Sequence, residues 1–281
     1  MEKWIDLHTH TACSDGTFTP EQLVMYALEK GLSAIAVTDH DTVDGIERAL
    51  KVSEHTGLEV IPGIELSSAY GSRDIHIVGL GIDHKNHLLL EHLDDFYEKR
   101  LQRNIRMIHN LQLAGIPIDE ADFFETYKGS VITRGHFAAY MYAKGFIRNR
   151  KEAFIRYIGD HGPCYVDRPR ITPGDAIRLI RNCGGHPILA HPLLYKMSKR
   201  ALEDFVMGLG KYGLQGLEAI YSTYTGTDES SMKQLAKKCN LAISGGSDFH
   251  GANKPDIDLG CGRGKLRVPA ELWDIIKALP V

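Results

Sequence analysis

The sequence lacks the features that mark membrane, secreted and zinc-finger proteins. No apolar run reaches about 18 residues, so no segment is predicted to be a transmembrane helix. The N-terminus has no basic region followed by an apolar stretch, which argues against a secretory signal peptide. The five cysteines are odd in number and none forms a Cys-x-x-Cys pair, which indicates reduced thiols rather than disulfides or a zinc finger. We therefore expect a cytoplasmic protein with no membrane partner.

An excess of charge of either sign is also missing. The 33 lysines and arginines face 36 aspartates and glutamates, so the formal net charge is -3. Without an overall basic field, we expect no binding to long duplex nucleic acid or to an anionic membrane. Any anionic substrate must then be attracted by a local group of cations or metal ions.

Strand and helix signals alternate through most of the 281 residues. Nearly continuous apolar runs such as Ala34 to Val37 are typical of strands that are buried on both faces of a parallel sheet. About seven such strands can be found, at 4–7, 34–40, 59–64, 74–80, 187–190, 216–220 and 241–244. Polar residues gather where these strands end, which predicts an α/β fold of the β/α-barrel type.

Residues 86–162 interrupt this alternation with helical patterns only. Apolar residues recur there at helical spacing, at Leu93, Tyr97, Leu101, Ile105, Ile108 and Leu111. We therefore predict a catalytic, metal-binding barrel formed by 1–85 and 163–281, and a helical insertion at 86–162 that caps the active site.

The first strand introduces a pattern of metal ligands. Side chains alternate faces in an extended segment, so His8 and His10 project to the same side about 7 Å apart. Other imidazoles and carboxylates follow at later strand ends, where burial without a partner would cost several kcal/mol. A His and carboxylate set without thiolate suits zinc, manganese or iron(II), and nine ligands exceed the capacity of one ion. The predicted ligands of two or three divalent ions are His8, His10, Asp15, His40, Glu65, His76, His191, Asp248 and His250.

These residues lie in six motifs whose order resembles that of the PHP family, named for its polymerase and histidinol phosphatase members. The motifs are Asp-Leu-His-Thr-His, Thr-Asp-His-Asp, Gly-Ile-Glu, Ile-His-Ile, Ala-His-Pro and Gly-Ser-Asp-Phe-His, between residues 6 and 250. The resemblance implies a distorted seven-stranded, TIM-like barrel with a trinuclear metal site. It implies one ion on His8, His10, Glu65 and Asp248, a second on Glu65, His76 and His191, and a third on Asp15, His40 and His250.

Length and the helical insertion resemble the members that hydrolyse nucleoside 3',5'-bisphosphates and trim short RNA from its 5' end. The resemblance implies removal of the 3'-phosphate to leave a nucleoside 5'-monophosphate, by attack of a metal-bridging hydroxide on phosphorus. We assign the catalytic roles to Asp248, His250 and His191, and we favour manganese over zinc or iron(II) as the metal.

Two other functions remain open. The first is a histidinol-phosphate or sugar-phosphate monoesterase on the same site, although histidinol phosphatases of the family can have histidine where Asp15 stands. The second is a binding module that holds metal without turnover, against which the complete ligand set argues.

Substrate contacts are expected from the insertion. Arg100, Arg103 and Arg106 recur every three residues and form one cationic stripe, or else a solvated face paired with nearby acids. Arg134 precedes a glycine that would let the backbone approach a phosphate, and this segment, with His136, resembles the nucleotide-phosphatase group. The predicted substrate-binding residues are Arg100, Arg103, Arg134 and His136. The role of Glu218, either a partner of a metal ligand or a contact to a loop, is left open.

Overall fold

Eight strands form one sheet in the computed structural model, which describes residues 3–167 and 170–281. The strands are β1 (Trp4–Thr9), β2 (Ala34–Val37), β3 (Glu59–Tyr70), β4 (Arg73–Leu80), β5 (His186–Leu189), β6 (Gly216–Tyr221), β7 (Ala242–Gly246) and β8 (Val268–Pro269). The helices are α1 (Pro20–Glu29), α2 (Ile46–Ser53), α3 (His87–Leu113), α4 (Glu120–Thr126), α5 (Arg134–Ala143), α6 (Arg150–Ala153), α7 (Pro173–Asn182), α8 (Lys199–Gly210), α9 (Gly226–Lys238) and α10 (Glu271–Lys277). The predicted α/β class is confirmed.

The strands follow the order β7-β6-β5-β4-β3-β2-β1-β8. The β7 edge of this sheet approaches β1, next to the opposite edge, because Asp248 N donates to His8 O at 2.8 Å and His10 N donates to Phe249 O at 3.0 Å. These bonds join the segment after β7 to β1, so the sheet is a nearly closed barrel. All seven predicted strands are present. The eighth is two residues long and pairs antiparallel with β1, and so short a strand carries no periodicity that a sequence could show.

One strand runs against the predicted parallel pattern. β3 and β4 form an antiparallel hairpin, and β4 also pairs antiparallel with β5. The start of β4 therefore lies at the same end of the barrel as the carboxyl ends of the parallel strands. This reversal brings His76, near the start of β4, to the end of the barrel where Glu65 follows the parallel part of β3.

Local sequence signals place the helices around the barrel. Thr19 caps α1, with its side chain accepting from Gln22 N and the Gln22 side chain accepting from Thr19 N, and Pro20 occupies the first turn. The apolar core of the barrel is closed by α10, where Trp273 and Ile276 pack with residues of the strands. No helix in the described ranges is both long and apolar enough to cross a bilayer.

The chain divides into two compact units, residues 1–91 with 170–281, and residues 92–169. The second unit begins and ends a few residues later than the insertion expected from sequence. Its described part consists of helices and turns around a core that includes Met107, Leu111, Phe123, Phe137 and Met141. The rings of Phe123 and Phe137 lie 4.5 Å apart between centroids, so this unit has an apolar core of its own. The capping role of the insertion stays a prediction.

Candidate metal centre

The nine side chains predicted as metal ligands lie together at one end of the barrel. Their ligand atoms fall into four overlapping groups, within each of which the atoms lie no more than 4.8 Å apart. Ligands of one ion are expected about 3 to 4 Å apart, given metal–ligand bonds of about 2 Å. The groups are His10, Asp15, His40 and His250; His8, Glu65 and His191; His8, His10 and Asp248; and His40, Glu65 and His76.

Glu65 lies at the middle of this cluster, fully buried. Its Oε2 lies 3.3 Å from His8 Nε2, 3.2 Å from His10 Nε2 and 3.0 Å from His40 Nδ1. Its Oε1 lies 2.9 Å from His76 Nδ1 and 3.1 Å from His191 Nε2. One carboxylate therefore contacts five imidazoles that lie in or after four strands, β1, β2, β4 and β5, which is the arrangement expected of a ligand that bridges two ions.

Asp15 connects the cluster to the loop after β1. Its Oδ1 lies 3.1 Å from His250 Nε2, 3.9 Å from His40 Nε2 and 4.0 Å from His10 Nδ1. His10 thus stands between the Asp15 group and the Asp248 group, whereas the family resemblance placed it only with the latter. Burial lowers the pKa of His40 to about 3, so this imidazole stays neutral and keeps a lone pair for a metal.

One oxygen of Asp248 contacts another predicted metal ligand, and the other contacts two residues that are not predicted ligands. Its Oδ1 lies 3.2 Å from His10 Nε2, while its Oδ2 accepts a hydrogen bond from Tyr221 OH at 2.7 Å and contacts Lys254 Nζ at 2.6 Å. Burial alone would raise the pKa of Asp248, but Lys254 and then His250 more than offset it and hold the pKa well below its usual range. The carboxylate is therefore anionic at neutral pH.

Glu218 resolves the alternative that the sequence left open. Its Oε1 lies 3.0 Å from His8 Nδ1, and its Oε2 accepts a hydrogen bond from His191 N at 2.8 Å. A carboxylate on Nδ1 favours the tautomer that carries the proton there, which leaves Nε2 of His8 free to bind a metal. Glu218 is thus a partner of two predicted ligands.

Two predicted metal ligands have positive φ angles that hydrogen bonds to neighbouring residues stabilise. His191 has φ 29° and Asp248 has φ 56°, values that cost energy for residues with a Cβ. The hydrogen bonds from His191 N to Glu218 and from Asp248 N to His8 O support them. A Cβ on Gly246 would lie 2.4 Å from the Cβ of His8, so β7 reaches His8 only because residue 246 is glycine.

Asp39 and Asp41 flank His40 but bond to the loops around it. Asp39 accepts hydrogen bonds from Thr11 N at 2.7 Å and from Ser14 Oγ at 2.5 Å, which ties the loop carrying Asp15 to the end of β2. Asp41 accepts from Ser67 N at 2.8 Å. These two acids therefore fix the positions of the ligand-bearing segments.

The donor set fits divalent metal ions. Glu65 Oε2 is buried and forms no hydrogen bond within the described part of the chain, although three imidazole nitrogens lie within 3.3 Å. Buried carboxylate oxygens are normally bonded, and a cation shared with the imidazoles would supply the missing interaction. Nitrogen and oxygen donors without thiolate suit manganese, zinc or iron(II).

The four predicted substrate contacts lie in the second unit. Arg100 and Arg103 are each only 5% exposed, whereas Arg106 is exposed, so these arginines do not form one solvated stripe. Arg134 pairs with Asp160, at 2.6 Å between Nη1 and Oδ1. His136 is buried and its Nδ1 accepts a hydrogen bond from Thr133 N at 2.9 Å, which completes the capping box of α5. Substrate binding by the four stays a prediction.

Sequence reasoning missed Tyr221 and Lys254. Tyr221 ends β6 in the same way that the predicted ligands end their strands, so a search for any polar side chain at a strand end would have found it. Lys254 follows the short 3-10 helix Gly251–Asn253, and no spacing in the sequence points from there to Asp248.

Comparison with known proteins shows similarity over nearly the whole chain. The PHP domain family matches residues 6–160. The 5'-3' exoribonuclease Rnm of Escherichia coli is 34% identical, over 96% of this chain and 93% of that protein. The 3',5'-nucleoside bisphosphate phosphatase of Chromobacterium violaceum is 31% identical, over 91% of this chain and 90% of that protein. The solved structure of a Bifidobacterium adolescentis protein, assigned as a metal-dependent phosphoesterase, has a TM-score of 0.86 and 28% identity, over 98% of this chain and 95% of that chain.

Proposed function

The chain belongs to the PHP family and is a metal-dependent hydrolase of phosphoric esters, and from this premise we propose that it acts on nucleoside 3',5'-bisphosphates. It removes the 3'-phosphate and leaves a nucleoside 5'-monophosphate. The observation that carries the proposal is Glu65, whose two oxygens contact five imidazoles of the cluster. The bisphosphate phosphatase of Chromobacterium violaceum supports the choice of substrate.

A second substrate is a short RNA with a 5'-phosphate. The observation that favours it is the 34% identity to the 5'-3' exoribonuclease of Escherichia coli over almost the full length of both chains. Both substrates present a phosphate ester next to a second phosphate group, so one site can serve both.

The nine clustered side chains would hold two or three divalent ions, with manganese favoured. When bound, such ions lower the pKa of a coordinated water and offset the charge on the phosphoryl oxygens. Glu218 keeps His8 in the tautomer with a free Nε2, while Lys254 and Tyr221 hold Asp248. We assign to Asp248, His250 and His191 the tasks of orienting the attacking oxygen and moving its proton.

Lys254 is also suited to bind the substrate. An ammonium has three donors, and only the contact to Asp248 uses one of them within the described ranges. The side chain is 40% exposed beside the buried cluster, so its remaining donors can reach a phosphoryl oxygen.

Two variants separate holding the metal from binding the phosphate. Asp248→Ala should lose bound metal and abolish turnover, because it removes a predicted ligand. Lys254→Met should keep its metal but raise KM for the bisphosphate about tenfold, since one charge-assisted hydrogen bond is lost. Metal content by elemental analysis and steady-state kinetics measure both effects. Near wild-type turnover of metal-loaded Asp248→Ala, or an unchanged KM for Lys254→Met, would contradict these roles.

The proposed substrate is tested against two alternative phosphate esters. Purified protein with added manganese is assayed for phosphate release from adenosine 3',5'-bisphosphate, histidinol phosphate and a 5'-phosphorylated dinucleotide. We expect the bisphosphate to have the highest kcat/KM and to yield adenosine 5'-monophosphate. Faster release from histidinol phosphate would favour the monoesterase alternative, and no release from any of the three would refute the proposal.

A further inference from the structure

Asp74, in the β3–β4 hairpin, lies on the face of the sheet that carries the metal cluster. Glu65 and Ala69 are four residues apart on β3, so their side chains project to the same face. Asp74 is the ladder partner of Ala69, and partners in an antiparallel ladder share a face. His76, two residues from Asp74 on β4, contacts Glu65 Oε1 through its Nδ1 at 2.9 Å. The Asp74 side chain therefore projects to the same side as two predicted metal ligands.

Arg170 reaches Asp74 from the other side of β3. Ser68 and Ile171 form a parallel bridge, and Ala69 N donates to Ile171 O at 3.0 Å, so this segment runs beside β3. Arg170 Nη1 donates to Asp74 Oδ1 across β3. Ala69, which lies between the two segments, presents only a methyl group to the crossing side chain. The guanidinium of Arg170 is thus placed on the face of the metal cluster.

The position of this ion pair fits the size of a nucleotide. Asp74 and His76 are two residues apart, which corresponds to about 7 Å along a strand. In a nucleoside 3',5'-bisphosphate, a path of about six bonds of about 1.5 Å joins the two phosphorus atoms and spans about 6 to 7 Å. When one phosphate lies at the metal centre, the other can therefore reach the guanidinium of Arg170.

The burial and charge of Arg170 suit a phosphate ligand. Its side chain is 9% exposed, whereas that of Asp74 is 36% exposed. Burial lowers the pKa of Arg170, but a guanidinium remains charged at neutral pH. Asp74 accepts from Nη1, which is one corner of a planar fork whose N–H donors match the geometry of a phosphate. Because this contact orients the fork before a ligand arrives, binding costs less conformational entropy.

A second cation lies on a different side of the cluster. Lys254 contacts Asp248 Oδ2 at 2.6 Å, in the segment that follows β7, whereas Arg170 is held by Asp74 of β4. β5 and β6 separate β4 from β7 in the sheet, so the two cations approach the cluster from different directions. A ligand with two phosphates can therefore have one cation at each of them.

We propose that Arg170 is a specificity-determining residue, whose guanidinium binds the phosphate that stays on the nucleoside while the other phosphate lies at the metal centre. The inference rests on the proposed function, because it assumes a nucleotide with two phosphates as the substrate. It adds a contact for the second phosphate from the barrel unit, whereas the sequence analysis expected such contacts from the insertion alone.

The test uses two substrates that differ only in this phosphate. With manganese-loaded protein, kcat and KM are measured for adenosine 3',5'-bisphosphate and for adenosine 3'-monophosphate. Isothermal titration calorimetry gives the Kd of the product, adenosine 5'-monophosphate, which still carries the second phosphate. The variants are Arg170→Gln, Asp74→Asn and the two combined. Arg178→Gln is the control, because Arg178 forms a similar pair with Asp175 at 2.6 Å on the exposed side of α7.

Arg170→Gln should raise KM for the bisphosphate and the Kd of adenosine 5'-monophosphate about tenfold, since a charge-assisted contact to phosphate is lost. Its kcat/KM for the 3'-monophosphate should not change. Asp74→Asn should leave KM for the bisphosphate within about threefold, because the guanidinium keeps its charge. The double variant removes both charges of the pair and should reproduce the selective loss, which keeps the test valid if Arg170→Gln does not fold. Arg178→Gln should behave as the wild type.

Equal losses for the two substrates in Arg170→Gln, or an equal rise in KM from Asp74→Asn, would overturn the inference, because a pair that only stabilises the hairpin gives these results. Unchanged affinity of Arg170→Gln for adenosine 5'-monophosphate would overturn it as well. Failure of the proposed function looks different, since wild-type protein would then release no phosphate from either substrate. The calorimetric comparison decides the role of Arg170 in that case too.

Discussion

Glu218→Gln tests whether the carboxylate of Glu218 prepares the metal ligands. In the wild type, its two oxygens contact two different groups, His8 Nδ1 at 3.0 Å and His191 N at 2.8 Å. Glutamine keeps the shape but has one oxygen and one NH2 group, so it can accept only one of these hydrogen bonds. Of the two N–H groups, on His8 Nδ1 and His191 N, one would then face the NH2 group of the glutamine. Residue 218 is only 2% exposed, so water could not replace the lost hydrogen bond.

The structure sets the size of the effect. Loss of one hydrogen bond to a charged, buried group costs about 1.5 to 3 kcal/mol, which corresponds to about 10- to 150-fold in an equilibrium constant. Partners of metal-binding histidines typically change metal affinity by about 10- to 100-fold, a similar range. We therefore expect the Kd for manganese to rise by about that factor, with a smaller change in kcat at saturating metal. Equilibrium dialysis with elemental analysis, followed by kinetics, measures both.

A surface variant supplies the control. Glu229 pairs with Lys233 one helical turn away on α9, at 2.5 Å, and Glu229→Gln should leave manganese binding unchanged. Manganese affinity of Glu218→Gln within twofold of the wild type, with an unchanged melting temperature, would refute the assignment of Glu218 as the group that orients His8.

Three further predictions concern the metal, the substrate and a thiol. Chelation of divalent ions should lower the melting temperature by roughly 5 to 10 °C, since ligand at a hundredfold excess over Kd contributes about 2.7 kcal/mol; an unchanged calorimetric scan would argue against resident metal. Arg134→Ala should raise KM for a 3',5'-bisphosphate about tenfold and leave that of a simple aryl phosphate unchanged, because only the former has a second phosphate to bind; equal effects would exclude this role. Burial, and then Asp39, raises the pKa of Cys13 to about 11 from the usual 9.0, so its thiolate fraction and alkylation rate at pH 8 should be about a hundredfold lower than for a free thiol, rising as the pH approaches 11. Mass-spectrometric detection of rapid Cys13 alkylation in the folded protein at pH 8 would contradict this.

Most of the proposed ligand residues were foreseeable because they lie in or just after an apolar run, whereas Asp15 lies in the loop after β1. His8 lies in β1, His10 directly follows it and His191 follows β5, so their chemistry and their place at strand ends could be predicted together. Their grouping was harder to predict, since His10 lies between Asp15 and Asp248 and not in one set alone. Which ligands share one ion depends on the distances between loops, and these distances cannot be read from the spacing of residues in the sequence.

Residues that act through another side chain were largely hidden. Glu218 could be seen as a polar strand end, but whether it bonded to a histidine or to a loop depended on the position of β6 beside β5 and β1. Lys254 gave no signal, because its contact with Asp248 arises from a short 3-10 turn between them.

The sequence by itself determined the α/β barrel class, the helical character of residues 86–162 and the identity of a nine-residue His and carboxylate set, since hydrophobic period and residue chemistry are local properties. The tertiary structure alone decided two other features: the reversed direction of β4 that brings His76 to Glu65, and the approach of Lys254 and Tyr221 to Asp248. Each of these depends on how segments distant in the chain pack together, which no local pattern of residues encodes.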